Sequence, residues 1–176
     1  YPTLPGLECW HVVGHGTWTY KDGIIEGKQS RDINTYTHLV TDESYHNFIA
    51  TLKYKCDAGN SGFYFRIIVD STGNVHGFQA EIDVVRDAGG LYESWGRGWV
   101  SQPSKADVAK HFKIKQWNDM KVEAKGPHVI VWVNGWKAAE INDPNVVMQG
   151  PCALQIHGGQ DVDVMFKDIH IERLPD

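Results

Sequence analysis

Alternation of apolar and polar residues organises this chain. In Asn60-Ser61-Gly62-Phe63-Tyr64-Phe65-Arg66 and in Gly77-Phe78-Gln79-Ala80-Glu81-Ile82-Asp83, side chains take turns between two faces. That period of two is the mark of a strand with one face on a core. Phe63, Phe65 and Ile67 share one face, as do Phe78, Ala80 and Ile82 on the second strand. The opposite faces carry Tyr64 and Arg66, then Gln79, Glu81 and Asp83. An arginine and two acids are costly under apolar cover. The expectation is therefore that this face lines an open, wet cleft, the default place to look for a site.

The same pattern predicts strands along the rest of the chain. They are Trp10–Val13, Thr17–Lys21, Ile24–Glu26, His38–Val40, Phe48–Lys55, Gly62–Val69, Gly77–Val84, Phe112–Ile114, Asn118–Ala124, His128–Val133, Lys137–Ile141, Cys152–His157 and Val162–Glu172. Lys21-Asp22-Gly23 and Val133-Asn134-Gly135-Trp136 read as tight hairpins, and 70–74 as a longer loop. The only helical turn predicted is Ser104–Lys110, capped by Ser104 with Asp107 in its first turn. So many strands without intervening helices predict an all-β, two-sheet antiparallel β-sandwich or barrel, a single domain over residues 1–176 with little helix. Residues 86–112 read as long excursions over the sheet, and long ordered loops are often functional. Trp10, Trp18, Trp117 and Trp132 fall in strand patterns and are expected in the core.

Composition narrows the partners. The 176 residues suit one domain with a sizeable core. A net charge of −5 with no basic run argues against nucleic acid. Apolar runs such as Val129 to Val133 are far too short to span a bilayer. Cys9, Cys56 and Cys152 have no metal-ligand spacing and imply no disulfide framework. No dinucleotide fingerprint, phosphate loop or nucleophile elbow is present, so no organic cofactor is expected. No signal peptide is visible, and a leader trimmed before Tyr1 fits the abrupt start.

Parity extends to Cys152-Ala153-Leu154-Gln155-Ile156-His157, where Gln155 and His157 oppose the core face. If this strand shares the sheet, His157 joins Arg66 and Glu81 in the cleft. A His, an Arg and a carboxylate can serve as base, charge stabiliser and acid; equally, they can form a solvated polar face with incidental ion pairs. The segment Glu81-Ile82-Asp83-Val84-Val85-Arg86 resembles the catalytic strand of laminarinase-like retaining glycosidases, where same-face carboxylates act as nucleophile and acid/base. Arg86 stands where a second Glu is needed, and Arg does not donate a proton at neutral pH. Conventional hydrolysis then needs Asp87 or Glu93 as its acid. In the following loop, Tyr92, Trp95 and Trp99 can stack on sugar rings while Glu93 and Arg97 bond hydroxyls; a packed aromatic loop closing one end of the sandwich fits equally well.

Nearly the whole chain resembles the 3-keto-disaccharide hydrolase domain family. The resemblance runs from Leu7-Glu8-Cys9-Trp10 and Asp22-Gly23-Ile24-Ile25-Glu26-Gly27 through Asn60–Arg66, Gly77–Ile82 and Leu91-Tyr92-Glu93, to Val131-Trp132-Val133-Asn134-Gly135, Leu154-Gln155-Ile156-His157 and Phe166-Lys167-Asp168-Ile169. It implies a concanavalin-like jelly roll with its site on a concave face. It also implies a bacterial, usually exported protein, hence periplasmic or extracellular, acting on an oligosaccharide or glycoside oxidised to a ketone at C3. In such chemistry the ketone acidifies the C2 proton, a base removes it, the C1 substituent leaves from the enolate, and water adds back. On this basis Glu81 or His157 is the candidate base, with Arg66 or a bound divalent metal stabilising the enolate. Tyr64, Gln79, Asp83, Tyr92, Glu93, Trp95, Arg97 and Gln155 are the candidate substrate contacts. Many family sequences carry Glu at the position of Gln79 and Gln at that of Glu81. A laminarinase-like endo-β-glucanase and a non-catalytic carbohydrate-binding module are the alternative readings.

Overall fold

In the computed structural model, residues 3–4 and 6–176 are described; Tyr1, Pro2 and Pro5 of the expected domain lie outside them. Fifteen strands and one helix follow in order. They are β1 (Thr3–Leu4), β2 (Leu7–Val13), β3 (Thr17–Lys21), β4 (Ile24–Gln29), β5 (Thr37–Tyr45), β6 (Phe48–Ala58), β7 (Asn60–Val69), β8 (Val75–Asp83), β9 (Leu91–Ser94), β10 (Gly98–Ser101), α1 (Lys105–His111), β11 (Asn118–Lys125), β12 (His128–Val133), β13 (Trp136–Asn142), β14 (Gly150–Ile156) and β15 (Val162–Arg173). The front sheet has the order β1-β2-β5-β14-β7-β8-β9-β10, the back sheet β13-β12-β11-β6-β15-β4-β3, with antiparallel pairing throughout. This is the expected all-β sandwich.

Both predicted two-residue hairpins form. Asp22-Gly23 and Asn134-Gly135 have positive φ at both central residues, the turn whose twist matches the flanking strands. The helix also forms, with the Ser104 side chain accepting from the Asp107 N–H. One apolar core lies between the sheets. The front sheet supplies Leu39, Phe63, Phe65, Phe78, Ala80, Ile82 and Leu154, and the back sheet Phe48, Leu52, Tyr54, Val122, Val131 and Phe166. The three cysteines are free thiols.

Four expectations are corrected. Residues 112–114 form no strand: Phe112 caps α1, Ile114 is exposed, and the Asn118 side chain ties the turn through Lys113 and Gln116. The supposed excursion after β8 is a hairpin, β9–β10, that extends the front sheet by pairing Gln79 with Tyr92. Trp117 and Trp132 are not in the core. They lie on the outer side of the back sheet, each under a lysine ammonium: Lys167 over Trp117 at 4.1 Å and Lys121 over Trp132 at 4.7 Å.

The fourth correction concerns Arg66. Between the pairs Phe65↔Phe78 and Ile68↔His76, two residues of β7 oppose one of β8, which is a β-bulge. Arg66 takes a left-handed φ of 51° there, and strict alternation stops. Ile67 now shares the face of Tyr64. The Arg66 guanidinium donates instead to the His46 carbonyl (2.7 Å), the Gly126 carbonyl (2.7 Å) and the Asn47 side chain (3.5 Å). It is a buried strut at the turns joining β5 to β6 and β11 to β12, not a cleft residue.

Candidate functional site

The free face of the front sheet floors a cavity of about 950 Å³. Strand register builds the floor row by row, because cross-strand partners share a face. Val13 pairs with His38, His38 with Gln155, and Gly62 with Glu81; the pairing of Leu154 with Phe63 sets Gln155 level with Gly62. The next row holds Val40, Ala153, Tyr64, Gln79 and Tyr92. Gly62 is glycine for a spatial reason: a Cβ there would stand 2.2 Å from Gln79 Oε1, so its absence lets the Gln79 amide lie across the floor.

One wall is the 34–36 loop with His157, and another the 72–75 loop. The third is the β9–β10 hairpin, which brings Tyr92, Ser94, Trp95 and Trp99 to the rim. Trp95 holds a left-handed φ of 59° at the hairpin tip and is 68% exposed, with its indole 5.8 Å from the His76 ring. Tyr92 and Trp99 meet edge to face at 5.2 Å.

The floor is buried yet polar. The Gln155 amide donates to the Tyr64 hydroxyl at 2.7 Å, and Asn60 Nδ2 donates to Glu81. His38 meets Tyr64 edge to face at 4.9 Å. Three buried atoms here have no partner: His38 Nε2, Gln79 Oε1 and Gln155 Oε1. Buried polar atoms are rarely left so, and three around one cavity mark it as a place where a ligand or water completes the bonds.

Burial also sets the charges. It pushes the Glu81 carboxyl up to about 8; nearby Asp83 and Asp87 raise it further, against the lowering effect of the Asn60 donor. Glu81 is only 4% exposed although it lines the cavity. Burial holds the His38 imidazole down to about 3, which keeps it neutral. His157 donates Nδ1–H to the Gly158 carbonyl at 2.6 Å, and its Nε2 lies 2.6 Å from the Tyr36 hydroxyl.

Of the sequence-predicted residues, the cavity gathers Glu81, His157, Tyr64, Gln79, Tyr92, Trp95 and Gln155. Four stand elsewhere. Arg66 is turned away by the bulge. Glu93 pairs with Phe78 on the core side of β9, and its carboxylate takes two donors of Arg97, which also bridges to Asp143 at 2.5 Å. Glu93 and Arg97 therefore brace the hairpin from behind. Asp83, at the end of β8, accepts from the Val85 N–H at 3.1 Å. Glu81 is the one carboxylate among the described residues lining the cavity. Retaining hydrolysis needs two, roughly 5–5.5 Å apart, and Asp87, the other substitute considered, is bonded to Gln102 outside it. Among the described residues no group of three or more His, Cys, Asp or Glu side chains is placed to hold a metal ion. The sequence reading missed Tyr36, His38 and Asn60. His38 had a signal, since it shares strand parity with Val40; Tyr36 lies on a loop without periodicity.

Comparison with known proteins agrees with this fold. The model of the 3-keto-alpha-glucoside-1,2-lyase-like domain matches residues 5–172. No curated protein matches the sequence. Among solved structures, the carbohydrate binding module CBM66 from Bacillus subtilis superposes with a TM-score of 0.74 at 16% identity, covering 97% of this chain and 99% of that one. A protein of Parabacteroides distasonis ATCC 8503, assigned only provisionally as a glycosyl hydrolase, gives 0.70 at 21% identity over 95% and 89% of the two chains. A Bacillus subtilis protein of unknown function with a galectin-like fold gives 0.70 at 14% identity over 93% and 89%. At these identities the likeness is one of fold.

Proposed function

The chain belongs to the 3-keto-alpha-glucoside-1,2-lyase-like domain family, and from that membership and the cavity we propose that it cleaves glycosides already oxidised to a ketone at C3. The observation that carries this reading is Glu81: a single buried carboxyl, poised near neutral pH, on a floor with no second acid. One carboxyl is too few for double displacement but is what an elimination needs. Glu81 takes the C2 proton as a general base. The negative charge passes to the C3 oxygen and meets neutral donors on the floor, drawn from the His38 ring, the Gln79 amide and the Tyr64 hydroxyl. The C1 substituent then leaves, and addition of water at C1 with return of the Glu81 proton to C2 completes hydrolysis. No step runs through a metal ion. The aromatic rim suits the apolar faces of sugar rings. Periplasmic or extracellular residence fits such a substrate and belongs to the same proposal.

The test is incubation with a 3-keto-glucoside and its unoxidised parent. Cleavage of the keto sugar alone is expected; cleavage of neither overturns the proposal. A second reading, a non-catalytic carbohydrate-binding module, is favoured by the near full-length superposition on CBM66. It predicts that Glu81→Gln binds sugar as wild type does and that neither protein turns anything over.

A further inference from the structure

We propose that Tyr36 is the catalytic acid that protonates the departing C1 oxygen, with His157 as the residue that positions it. The inference rests on the keto-glycoside reading above and adds to it the proton donor which that reading leaves unassigned. Tyr36 lies on the wall of the cavity that Glu81 floors. The residue is 46% exposed.

The loop that carries Tyr36 is fixed before any ligand arrives. Gln29 Nε2 donates to the Thr35 carbonyl at 2.9 Å and the Ile33 carbonyl at 3.3 Å. Gly159 N–H donates to the Ile33 carbonyl at 2.8 Å. Gly158 packs so closely that a Cβ on it would stand 2.6 Å from the Asn34 carbonyl. The ring of His157 lies 4.4 Å from that of Tyr36, tilted by 48°. Such preorganisation is what a positioned acid requires.

The hydrogen bonds of His157 decide what Tyr36 can donate. Nδ1–H is committed to the Gly158 carbonyl, so a singly protonated ring accepts the phenolic proton at Nε2. As the C1–O bond breaks and the bonding pair moves onto the departing oxygen, that oxygen becomes a stronger acceptor than Nε2 and takes the phenolic proton from Tyr36. The phenolate regains a proton from the water whose oxygen adds to C1, and the contact with Nε2 is restored. Burial, followed by the neighbouring Tyr92 and Glu81, keeps the Tyr36 phenol above its usual range. Its proton is thus retained until charge develops on the leaving oxygen.

The experiment compares two 3-keto-glucosides, one with a nitrophenyl leaving group and one with methyl. A nitrophenolate departs without a proton and methoxide does not, so losing the acid penalises only the second. Tyr36→Phe is expected to cleave the nitrophenyl glycoside within about threefold of wild type and the methyl glycoside about a hundredfold more slowly, the low end for general acid catalysis. His157→Gln is expected to show the same selectivity, weaker, whereas a purely structural role for His157 would lower both rates alike. Equal loss on both substrates for Tyr36→Phe, or no loss on the methyl glycoside, overturns the assignment while leaving the keto-glycoside reading intact. Wild-type protein inert toward both overturns the two together.

Discussion

Two faces of this sandwich point away from its core, and they have opposite chemistry. The outer face of the back sheet is charged and largely paired. Lys53 pairs with Asp119 at 2.5 Å, Lys55 with Asp57 at 3.7 Å, and Lys121 and Lys167 lie over tryptophans. The free face of the front sheet is buried, nearly uncharged and unfinished, with unpartnered atoms on His38, Gln79 and Gln155 beside one carboxyl. Exposed ion pairs are worth about 0–1 kcal/mol and mainly keep a surface wet. Buried polar atoms without partners cost about 1–3 kcal/mol each until something bonds them. Such a floor suits a ligand that completes it, which is why the proposed site is set on the unfinished face rather than on the charged one.

Substitution separates the two faces. The largest effect is expected from Glu81→Gln, which removes the base while keeping the shape: cleavage of a 3-keto-glucoside falls by about a thousandfold. The same carboxyl links activity to pH. A base must be ionised, so the rate climbs with pH and levels off above about 8. Stability moves the opposite way. A carboxyl raised from 4.5 to about 8 in the folded state is most favourable protonated, so its contribution is complete below pH 4.5 and is lost as pH rises through about 8. Chemical denaturation across that window should show wild type losing stability relative to Glu81→Gln.

Next is Arg66→Ala, which strips donors from the buried His46 and Gly126 carbonyls. It should lower unfolding stability by about 3 kcal/mol and leave cleavage by the folded protein unchanged, since Arg66 lies on neither outward face. Gln155→Leu removes the donor to Tyr64 and one waiting acceptor, and should weaken apparent substrate affinity about tenfold. At the bottom of the scale, Trp132→Ala and Lys121→Ala on the back face should change turnover by less than about twofold. A large effect there would erase the contrast between the faces.

How much of this was legible follows from where local rules hold. Alternation in β7 and β8 placed Phe63, Phe65, Phe78 and Ile82 on the core and Tyr64, Gln79 and Glu81 opposite, because ladder geometry enforces it. One bulge then broke the count: Arg66 kept its polar parity in sequence but left the face in space. Trp117 and Trp132 read as core because alternation does not say which apolar residues a lysine stem will cover instead. Glu93 and Arg97 have the chemistry of ligand contacts, but pairing in the β9–β10 hairpin turns them to the core side, where they brace each other. Tyr36 meets His157 across 121 positions of sequence, a contact no local pattern announces.

The account turns on Glu81 as a base on the unfinished face. The most direct measurement is the single-turnover rate at which wild type and Glu81→Gln cleave one 3-keto-glucoside at pH 8, with binding of the sugar followed in parallel. The account predicts that both proteins bind it and only wild type cleaves it at an appreciable rate. Equal cleavage by the two, or binding without cleavage by either, would contradict it.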